Sequence, residues 1–327
     1  MGLPPTRTAE ALRAAVDESA AGRPPHDRYE AAVAAARASF ARLLSTPVER
    51  VAIGSTVATS VGKIAARLPA GAEVLVADGD FSSLVNPFAG RGDLAVRSVP
   101  LPELAAQVRP GTALVAVSAV QSADGRVADL PAIRAAAAAH GARTLVDATQ
   151  AAGWLPLRAD DFDYLVCGSF KWLLGAHGVS FLTVRPGCED GLSPAFAGWY
   201  AGDDPWSECY GPVTRLATTA RRFDASPAYL GFVAAASSLA LIEEVGVAAI
   251  HRHDVALAEA FRAGVSALGF PPVGEGGSAI VSVPGLPAAG LAEAGVTLSS
   301  RAGNLRFAFH LYNTSADMER ALSVLRA

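Results

Sequence analysis

The chain has 327 residues, of which 51% are hydrophobic, so it exceeds one ordinary domain and can bury a large core. Its formal net charge of -4 gives no basic field for nucleic acid, and no apolar run is long enough for a membrane span. Three cysteines without CxxC spacing argue against a disulfide framework or a zinc site and favour a reducing, cytoplasmic environment. We therefore expect neither nucleic acid, membrane nor metal as a partner.

Helical and strand-like patterns alternate along the first half of the chain. Ala-rich helices are predicted at 11–16 and 29–44, and further helices at 57–68 and 130–140. The strand-like runs between them are VAIGS, AEVLVAD, LAVRSV, ALVAVSAV, TLVDA, DYLVCGS and VSFLTV. This alternation predicts an α/β domain with a mostly parallel sheet.

The pattern changes after residue 197. An irregular stretch rich in Trp, Tyr, Gly and Pro covers 198–227, and loops of this length are usually functional or disordered. The remainder is predicted as a helix, the strand AIVSV, a short helix, the strand LRFAFHLY and a final helix, which together make a small α+β domain. The expected organisation is an N-terminal arm (1–20), a large domain (21–225) and a small C-terminal domain (226–327).

Asp147 ends the apolar strand TLVDA and is the first candidate site residue. Ligands bind at the carboxyl ends of the strands in α/β sheets, and a partly desolvated carboxylate there needs a cation. A protonated pyridine nitrogen is one such cation. A helix N-cap is the simpler interpretation, and for Asp147 alone it is preferred.

Lys171 follows the strand DYLVCGS, between Phe170 and Trp172. Apolar neighbours lower the pKa of a lysine by desolvation, and a neutral amine is what Schiff-base chemistry requires. The alternative is a surface lysine whose stem lies along apolar side chains. The only other lysine, Lys63, falls inside the predicted helix 57–68 and is interpreted as a surface residue.

Weaker signals accompany these two residues. Ser55 and Thr56 begin a helix, where they could bind a phosphate or simply cap the helix. Phe81 follows a strand, where it could stack on a flat ring or belong to the core. Arg306 lies in an alternating strand, where it could bind a carboxylate through two hydrogen bonds or face solvent.

In order and spacing, these motifs resemble the class V aminotransferase superfamily of pyridoxal-phosphate (PLP) enzymes over nearly the whole chain. The resemblance implies PLP fold type I, the aspartate aminotransferase-like fold. VDATQ is similar to VDGAQ, which implies that Asp147 contacts the pyridine nitrogen of PLP and Gln150 its phenolic oxygen. GSFKWLLGAHGV resembles S-x-K-x-x-x-G-x-x-G, which implies that Lys171 holds PLP as a Schiff base, with Ser169 near the phosphate.

The same resemblance extends to the remaining motifs. Gly54-Ser55-Thr56 matches the phosphate loop G-T-T, and Phe81 occupies the ring-stacking position, as in kynureninases. RRFDASP is similar to RFEAGTP, which implies that Ser226 reaches the phosphate in the partner subunit of a homodimer with shared active sites. LRFAFHLYNT resembles R-x-x-x-x-x-Y-N-T, which implies that Arg306 binds the α-carboxylate of an amino-acid substrate.

The resemblance is closest to the branch of cysteine desulfurases, kynureninases and isopenicillin N epimerase-like proteins, but it has departures. The loop 299–305 has no cysteine, so persulfide chemistry of the desulfurase type is not expected. Phe170 replaces the tyrosine of kynureninases, and Ser122 stands where an asparagine is common. His177 and His310 are candidates for a second acid/base or for substrate contacts, although structural roles are commoner.

The resemblance therefore implies a PLP-dependent enzyme that acts on an amino acid through Lys171 and removal of the Cα proton. A lyase acting at Cβ, of the C–S type, is the preferred prediction. The alternatives are an aminotransferase, an epimerase and a non-catalytic homologue of the same fold.

Overall fold

The computed structural model describes residues 2–194 and 197–326, and these form two β-sheets surrounded by helices. The strands of the large sheet are β1 (Val51–Gly54), β2 (Glu73–Ala77), β3 (Ala95–Val99), β4 (Thr112–Ser118), β5 (Arg143–Asp147), β6 (Tyr164–Gly168) and β7 (Ser180–Val184). Those of the small sheet are β8 (Ile280–Val283), β9 (Ser299–Arg301) and β10 (Asn304–Ala308). The α-helices are α1 (Thr6–Ala20), α2 (His26–Leu43), α3 (Val57–Arg67), α4 (Ser82–Ala89), α5 (Leu130–His140), α6 (Tyr229–Val245), α7 (Val247–Ala267) and α8 (Ser315–Arg326).

The large sheet has the strand order β1-β7-β6-β5-β4-β2-β3. The four pairs from β6 to β3 are parallel, whereas β7 is antiparallel to both of its neighbours. Because β1 opposes β7, it runs in the same direction as β6. Every strand of this sheet except β7 therefore ends at the same edge. The predicted α/β fold with a mostly parallel sheet, and a smaller domain after it, is confirmed.

Apolar side chains cover both faces of the large sheet, as expected for a mostly parallel sheet. One core joins alternate residues of the strands to Phe40 of α2, Ile133 of α5 and Leu239 of α6. The other joins the intervening strand residues to the α3 and α4 side chains. Both faces are buried, and this explains why the strands have continuous apolar runs rather than a polar–apolar alternation.

The N-terminal arm is a helix held against α6. The Thr8 and Ser238 hydroxyls are 2.9 Å apart, and Arg7 pairs with Glu244 at 2.6 Å. Helix α6 in turn contributes Leu239 to the core of the large sheet. The irregular stretch predicted over 198–227 is confirmed as short 3₁₀ turns and loops. The domain boundaries after residues 20 and 225 stay predictions.

The C-terminal part differs from the prediction in three details. The single helix expected after residue 228 is two helices, α6 and α7, because the chain breaks at Gly246 with φ +84°. The short helix expected between the two strands is wrong, since residues 284–298 form turns and loops. The strand β9, which pairs with β10, was not predicted.

Helix α6 is the apolar segment that most resembles a membrane span. Within residues 2–194 and 197–326, no single helix is long and apolar enough to cross a membrane. Helices α6 and α7 are long and apolar enough only when they are taken together, and the chain bends by 82° between them.

The prediction that Lys63 lies on the surface is wrong. Only 2% of Lys63 is exposed, and its ammonium group donates a hydrogen bond to the Phe223 carbonyl. Burial lowers the pKa of Lys63, while the negative charge of Asp224 acts in the opposite direction. The segment that covers Lys63 comes 160 residues later in the chain. Helix periodicity therefore gives no sign of this burial.

Candidate active site

Side chains from five strand ends meet at the carboxyl edge of the large sheet. Neighbouring strands lie about 4.8 Å apart, so the groups that follow adjacent strands are close in space. These groups are Ser55 and Thr56 after β1, Asp80 and Phe81 after β2, Ser122 after β4, Asp147 and Gln150 after β5, and Ser169 and Lys171 after β6. The topology thus brings together residues that are more than 100 positions apart in sequence.

Asp147 is buried at the end of β5, with 4% of its surface exposed. The Thr149 amide donates a hydrogen bond to Asp147 Oδ1 at 2.9 Å. Burial raises the pKa of Asp147 to about 6, and the negative charge of Asp80 adds to the rise, while the hydrogen bonds from Thr149 oppose it. None of the described basic side chains forms an ion pair with Asp147. A carboxylate in this position would be stabilised by a cationic ligand.

Asp80 organises the neighbouring strand end, a role that was not predicted. It accepts hydrogen bonds from the Ser118 amide at 2.8 Å, the Ser118 hydroxyl at 2.5 Å and the Gln121 side chain at 3.1 Å. It also accepts one from the Phe81 amide at 2.6 Å. Asp80 therefore fixes the ends of β2 and β4 beside Asp147. An acidic residue three positions after an apolar strand, in the turn Asp78-Gly79-Asp80, is the sequence signal that could have indicated it.

The loop after β6 that carries Lys171 is anchored from several sides. The buried Ser169 hydroxyl donates to the Ala176 carbonyl at 2.7 Å, and the Ser238 hydroxyl donates to the Leu174 carbonyl at 2.9 Å. The Gly2 amide donates to the Phe170 carbonyl at 3.2 Å. Leu174 has φ +57°, an unusual conformation for a branched residue, and these hydrogen bonds hold it there.

Lys171 is partly buried, and its ammonium nitrogen lies 5.2 Å from the centre of the Phe170 ring. Desolvation lowers the pKa of Lys171, and the positive charges of Arg306 and then Arg301 lower it further. The largest contribution to the lowered pKa of Lys171 is thus the one expected from the sequence, namely burial among apolar neighbours. The amine form that covalent carbonyl chemistry needs is favoured.

A small pocket joins Lys171 to the second sheet. Its lining consists of Gly2, Gln150, Lys171, Trp172, Ile280, Arg306, Ala308, His310 and Tyr312. The sequence-predicted residues Lys171, Gln150 and Arg306 are therefore brought together. Gly2 and Trp172 were not predicted, although Trp172 directly follows Lys171.

A chain of hydrogen bonds crosses this pocket. The Trp172 indole donates to Gln150 Oε1 at 2.9 Å, and Gln150 Nε2 donates to the Ser122 hydroxyl at 3.1 Å. Arg306 Nη1 donates to the Ser122 carbonyl, whereas Arg306 Nε is buried without a partner. The guanidinium therefore keeps an unused donor at the pocket, which an anionic ligand could accept.

The other predicted site residues lie outside the Lys171 pocket. Thr56 caps α3, because its hydroxyl accepts a hydrogen bond from the Thr59 amide at 3.2 Å, and Ser55 is exposed beside it. Phe81 is 50% exposed. Ser226 is exposed next to β1, where the Ala225 amide donates to the Ile53 carbonyl at 3.1 Å. The roles predicted for these residues stay predictions.

The two candidate histidines occupy different environments. His310 is 5% exposed and stacks between Trp172 at 4.8 Å and Tyr312 at 4.7 Å. Burial lowers the pKa of His310 to about 3, although the Lys171 and Trp172 backbones act in the opposite direction. A group with this pKa is neutral at physiological pH and is poorly matched to acid/base catalysis there. His177 is exposed and stacks on the Phe170 ring at 3.9 Å.

Comparisons with known proteins agree with this geometry. The family model for class V aminotransferases matches residues 26–284. An uncharacterized aminotransferase of Bacillus subtilis, YcbU, is 29% identical over 314 residues, which are 89% of this chain and 82% of that protein. Isopenicillin N epimerase of Streptomyces clavuligerus is 31% identical over 182 residues, 50% of this chain and 46% of the epimerase. The structure of the cystine C–S lyase C-DES superimposes with a TM-score of 0.87 at 22% identity, over 98% of this chain and 94% of the lyase.

The chain belongs to the class V aminotransferase family. It is a PLP-dependent enzyme with PLP fold type I. The residues at the sheet edge fit this cofactor, because they include a buried carboxylate without a cationic partner and a lysine with a lowered pKa. The α3 N-terminus, which begins after Thr56, is suited to a phosphate at the same edge.

Proposed function

We propose that this PLP-dependent enzyme is a lyase that breaks a bond at Cβ of an amino acid, of the C–S or a similar type. The observation that carries the proposal is the set of titratable groups around the described pocket. Lys171 has a lowered pKa, whereas His310 is held neutral and burial raises the pKa of Tyr312. Lys171 is enough as the base of a lyase or an aminotransferase. Epimerisation also needs a proton donor on the opposite face of Cα, a role that the neutral His310 does not fit and that Tyr312, which keeps its proton, would have to fill.

The proposed roles at the cofactor follow from the positions at the sheet edge. Lys171 holds PLP covalently through Nζ, the Asp147 carboxylate pairs with the pyridine nitrogen, and Gln150 donates to the phenolic oxygen. The phosphate is bound by Ser55 and Thr56, with Ser169 nearby ordering the loop through its bond to the Ala176 carbonyl, and Phe81 stacks on the ring. Bound PLP supplies an electron sink that stabilises negative charge at Cα. The burial of Asp147 supports this assignment, because a carboxylate without a cation is costly there.

Substrate handling is assigned to the other side of the pocket. Arg306 binds the α-carboxylate through its guanidinium, whose Nε has no protein partner among the described residues. Once the amino group of the substrate had displaced Lys171 from the cofactor, the freed amine would take the Cα proton as a general base, and its lowered pKa increases the fraction of neutral amine. The hydrogen bond of Arg306 Nη1 to Ser122 orients the guanidinium towards the pocket. Departure of the Cβ substituent then distinguishes a lyase from an aminotransferase.

An aminotransferase is the second candidate. YcbU, which matches 89% of this chain, is named as an aminotransferase. The resemblance of the site motifs to the desulfurase and kynureninase branch supports the first candidate, and the C–S lyase C-DES shares the fold.

We also propose a homodimer that acts in the cytoplasm. Ser226 is exposed and lies outside the Lys171 pocket of its own chain, which fits a role at a partner's phosphate. All three cysteines are free, as expected in a reducing compartment. Sedimentation of the purified protein tests the dimer. If Ser226 contacts the phosphate in the partner subunit, Ser226→Ala should bind PLP more weakly than the wild type.

The reaction type is tested with PLP-loaded protein and amino acids that carry a leaving group at Cβ. A lyase releases pyruvate and ammonia over many turnovers without any keto acid, whereas an aminotransferase stops after one product molecule for each bound PLP until a keto acid is added. An epimerase converts the L-isomer to the D-isomer without release of either product. Lys171→Ala is the matched inactive control. Turnover that depends strictly on a keto acid would exclude the lyase.

A further inference from the structure

A second arginine shares the substrate-facing side of the small sheet with Arg306. Arg301 on β9 is paired directly with Asn304 on β10, and Arg306 is paired with Ser299. Directly opposed residues in antiparallel strands project from the same face, and so do residues two apart in one strand. Arg301, Asn304 and Arg306 therefore lie on one face. Ile280 and Ala308, paired across the same sheet, also lie on it and line the Lys171 pocket.

The position of Arg301 is set by a tight hairpin. The two residues between β9 and β10 are Ala302, with φ +48°, and Gly303, with φ +80°. Positive φ at both central residues is typical of the hairpin turn that matches the twist of its strands. Side chains that are diagonal neighbours across such a pair are about 7–8 Å apart at the backbone, which long side chains easily bridge. The two guanidiniums can therefore reach the two ends of one small ligand.

Neither guanidinium has an acidic partner in the part of the chain that the structure describes. None of the ion pairs among the described residues includes Arg301 or Arg306. Arg301 donates to the adjacent Ser300 carbonyl, at 2.7 Å. The positive charges of Arg306 and Arg301 both act on Lys171, since each of them lowers its pKa. Arg306 thus lines the Lys171 pocket and Arg301 lies on the same sheet face beside it, and neither has an acidic partner among the described residues.

We propose that Arg301 forms a second anion subsite, so that the substrate is an amino acid whose side chain carries its own anionic group, such as a carboxylate or a sulfur oxyacid. This inference rests on the proposed function, in which Arg306 binds the α-carboxylate. One substrate with two anionic groups neutralises both arginines, whereas a neutral amino acid leaves Arg301 without a counter-charge. The exposed position of Arg301 keeps it hydrated, so its contribution is selectivity rather than most of the affinity.

The test measures binding of two unreactive acids, succinate and butyrate, which differ in the second carboxylate. Calorimetry on the PLP-loaded protein and on the apoprotein, at constant ionic strength, gives the dissociation constants without any turnover. We expect succinate to bind about fivefold more tightly than butyrate. Arg301→Gln should abolish this preference and leave butyrate binding unchanged. Arg306→Gln should weaken both acids, and Arg252→Gln, an exposed arginine on α7, should change neither.

Two outcomes would overturn the inference: equal affinity for the two acids, or a succinate preference that survives in Arg301→Gln. The proposed function is tested separately. If amino acids without an anionic side chain are turned over as well as acidic ones, the subsite fails and the PLP reaction stands. If succinate is preferred through Arg301 but no amino acid reacts with the PLP-loaded protein, the subsite stands and the proposed function fails.

Discussion

Replacement of Asp147 by asparagine removes a buried negative charge and keeps the shape of the side chain. The amide oxygen of Asn can still accept the hydrogen bond from the Thr149 amide, which is 2.9 Å long in the wild type. The variant therefore isolates the free energy of the charge. We expect Asp147→Asn to make the apoprotein more stable but to weaken its binding of PLP.

The magnitude follows from the pKa of Asp147, which burial raises from 3.8 to about 6. At 1.36 kcal/mol for each pKa unit, this rise corresponds to about 3 kcal/mol of lost stability once the carboxyl group is ionised. Because the folded-state pKa is the higher one, the protonated acid stabilises the fold at low pH. That stabilisation decreases as the pH rises above 3.8 and is gone above about pH 6. The advantage of the variant should grow from about 1 kcal/mol at pH 4.5 to about 3 kcal/mol at pH 8.

Urea denaturation of the apoprotein, stripped of PLP with hydroxylamine, measures this advantage. Asp190→Asn, at an exposed carboxyl, is the matched control and should change the free energy of unfolding little. Addition of PLP should reverse the order, because only the wild type offers an anion to the pyridine nitrogen. The reasoning is refuted if Asp147→Asn is no more stable than the wild type at pH 8, or if its advantage does not grow with pH.

Three further variants test the packing around the site, each by urea denaturation. Arg37→Met breaks the buried ion pair with Asp224, in which the charged atoms are 2.6 Å apart. It should lower the free energy of unfolding by about 3–5 kcal/mol, and a loss below about 1 kcal/mol would contradict this. Gly125→Ala should lower the free energy of unfolding by about 1–3 kcal/mol, because Gly125 has φ +83° and a Cβ there would lie 2.6 Å from the Ile280 carbonyl oxygen. An unchanged urea midpoint would contradict this, because it would mean that the backbone near Ile280 moves aside without loss of stability. Thr56→Ala removes the α3 cap and should cost about 1 kcal/mol, whereas Thr56→Ser should recover most of it.

The residues at strand ends could be predicted from the sequence because their signals are local. Asp147 is the last residue of one buried apolar strand and Lys171 lies three residues after the end of another, and the parallel order of those strands places both at one edge. Arg306 was identified from an alternating strand, and the structure brings it into the pocket that contains Lys171. The roles at a cofactor came from the resemblance to the class V family, because each motif alone left a simpler interpretation open.

What the sequence could not indicate depends on contacts between distant segments. Lys63 is buried by a segment near Phe223, and nothing within its own helix indicates that cover. The contact between Ser122 and Arg306 joins residues 184 positions apart. The strand β9 is only three residues long and becomes a strand through its pairing with β10, so periodicity is too short to reveal it.

The central claim is that Lys171 holds PLP. The protein has only two lysines, Lys63 and Lys171, so reduction of the PLP-loaded protein with borohydride followed by peptide mass analysis can locate the cofactor without ambiguity. The account predicts loss of a visible absorption band on reduction and a phosphopyridoxyl group on the peptide that contains Lys171. Lys171→Ala should show neither. A modified Lys63, or a protein that gains no visible band when PLP is added, would contradict the account.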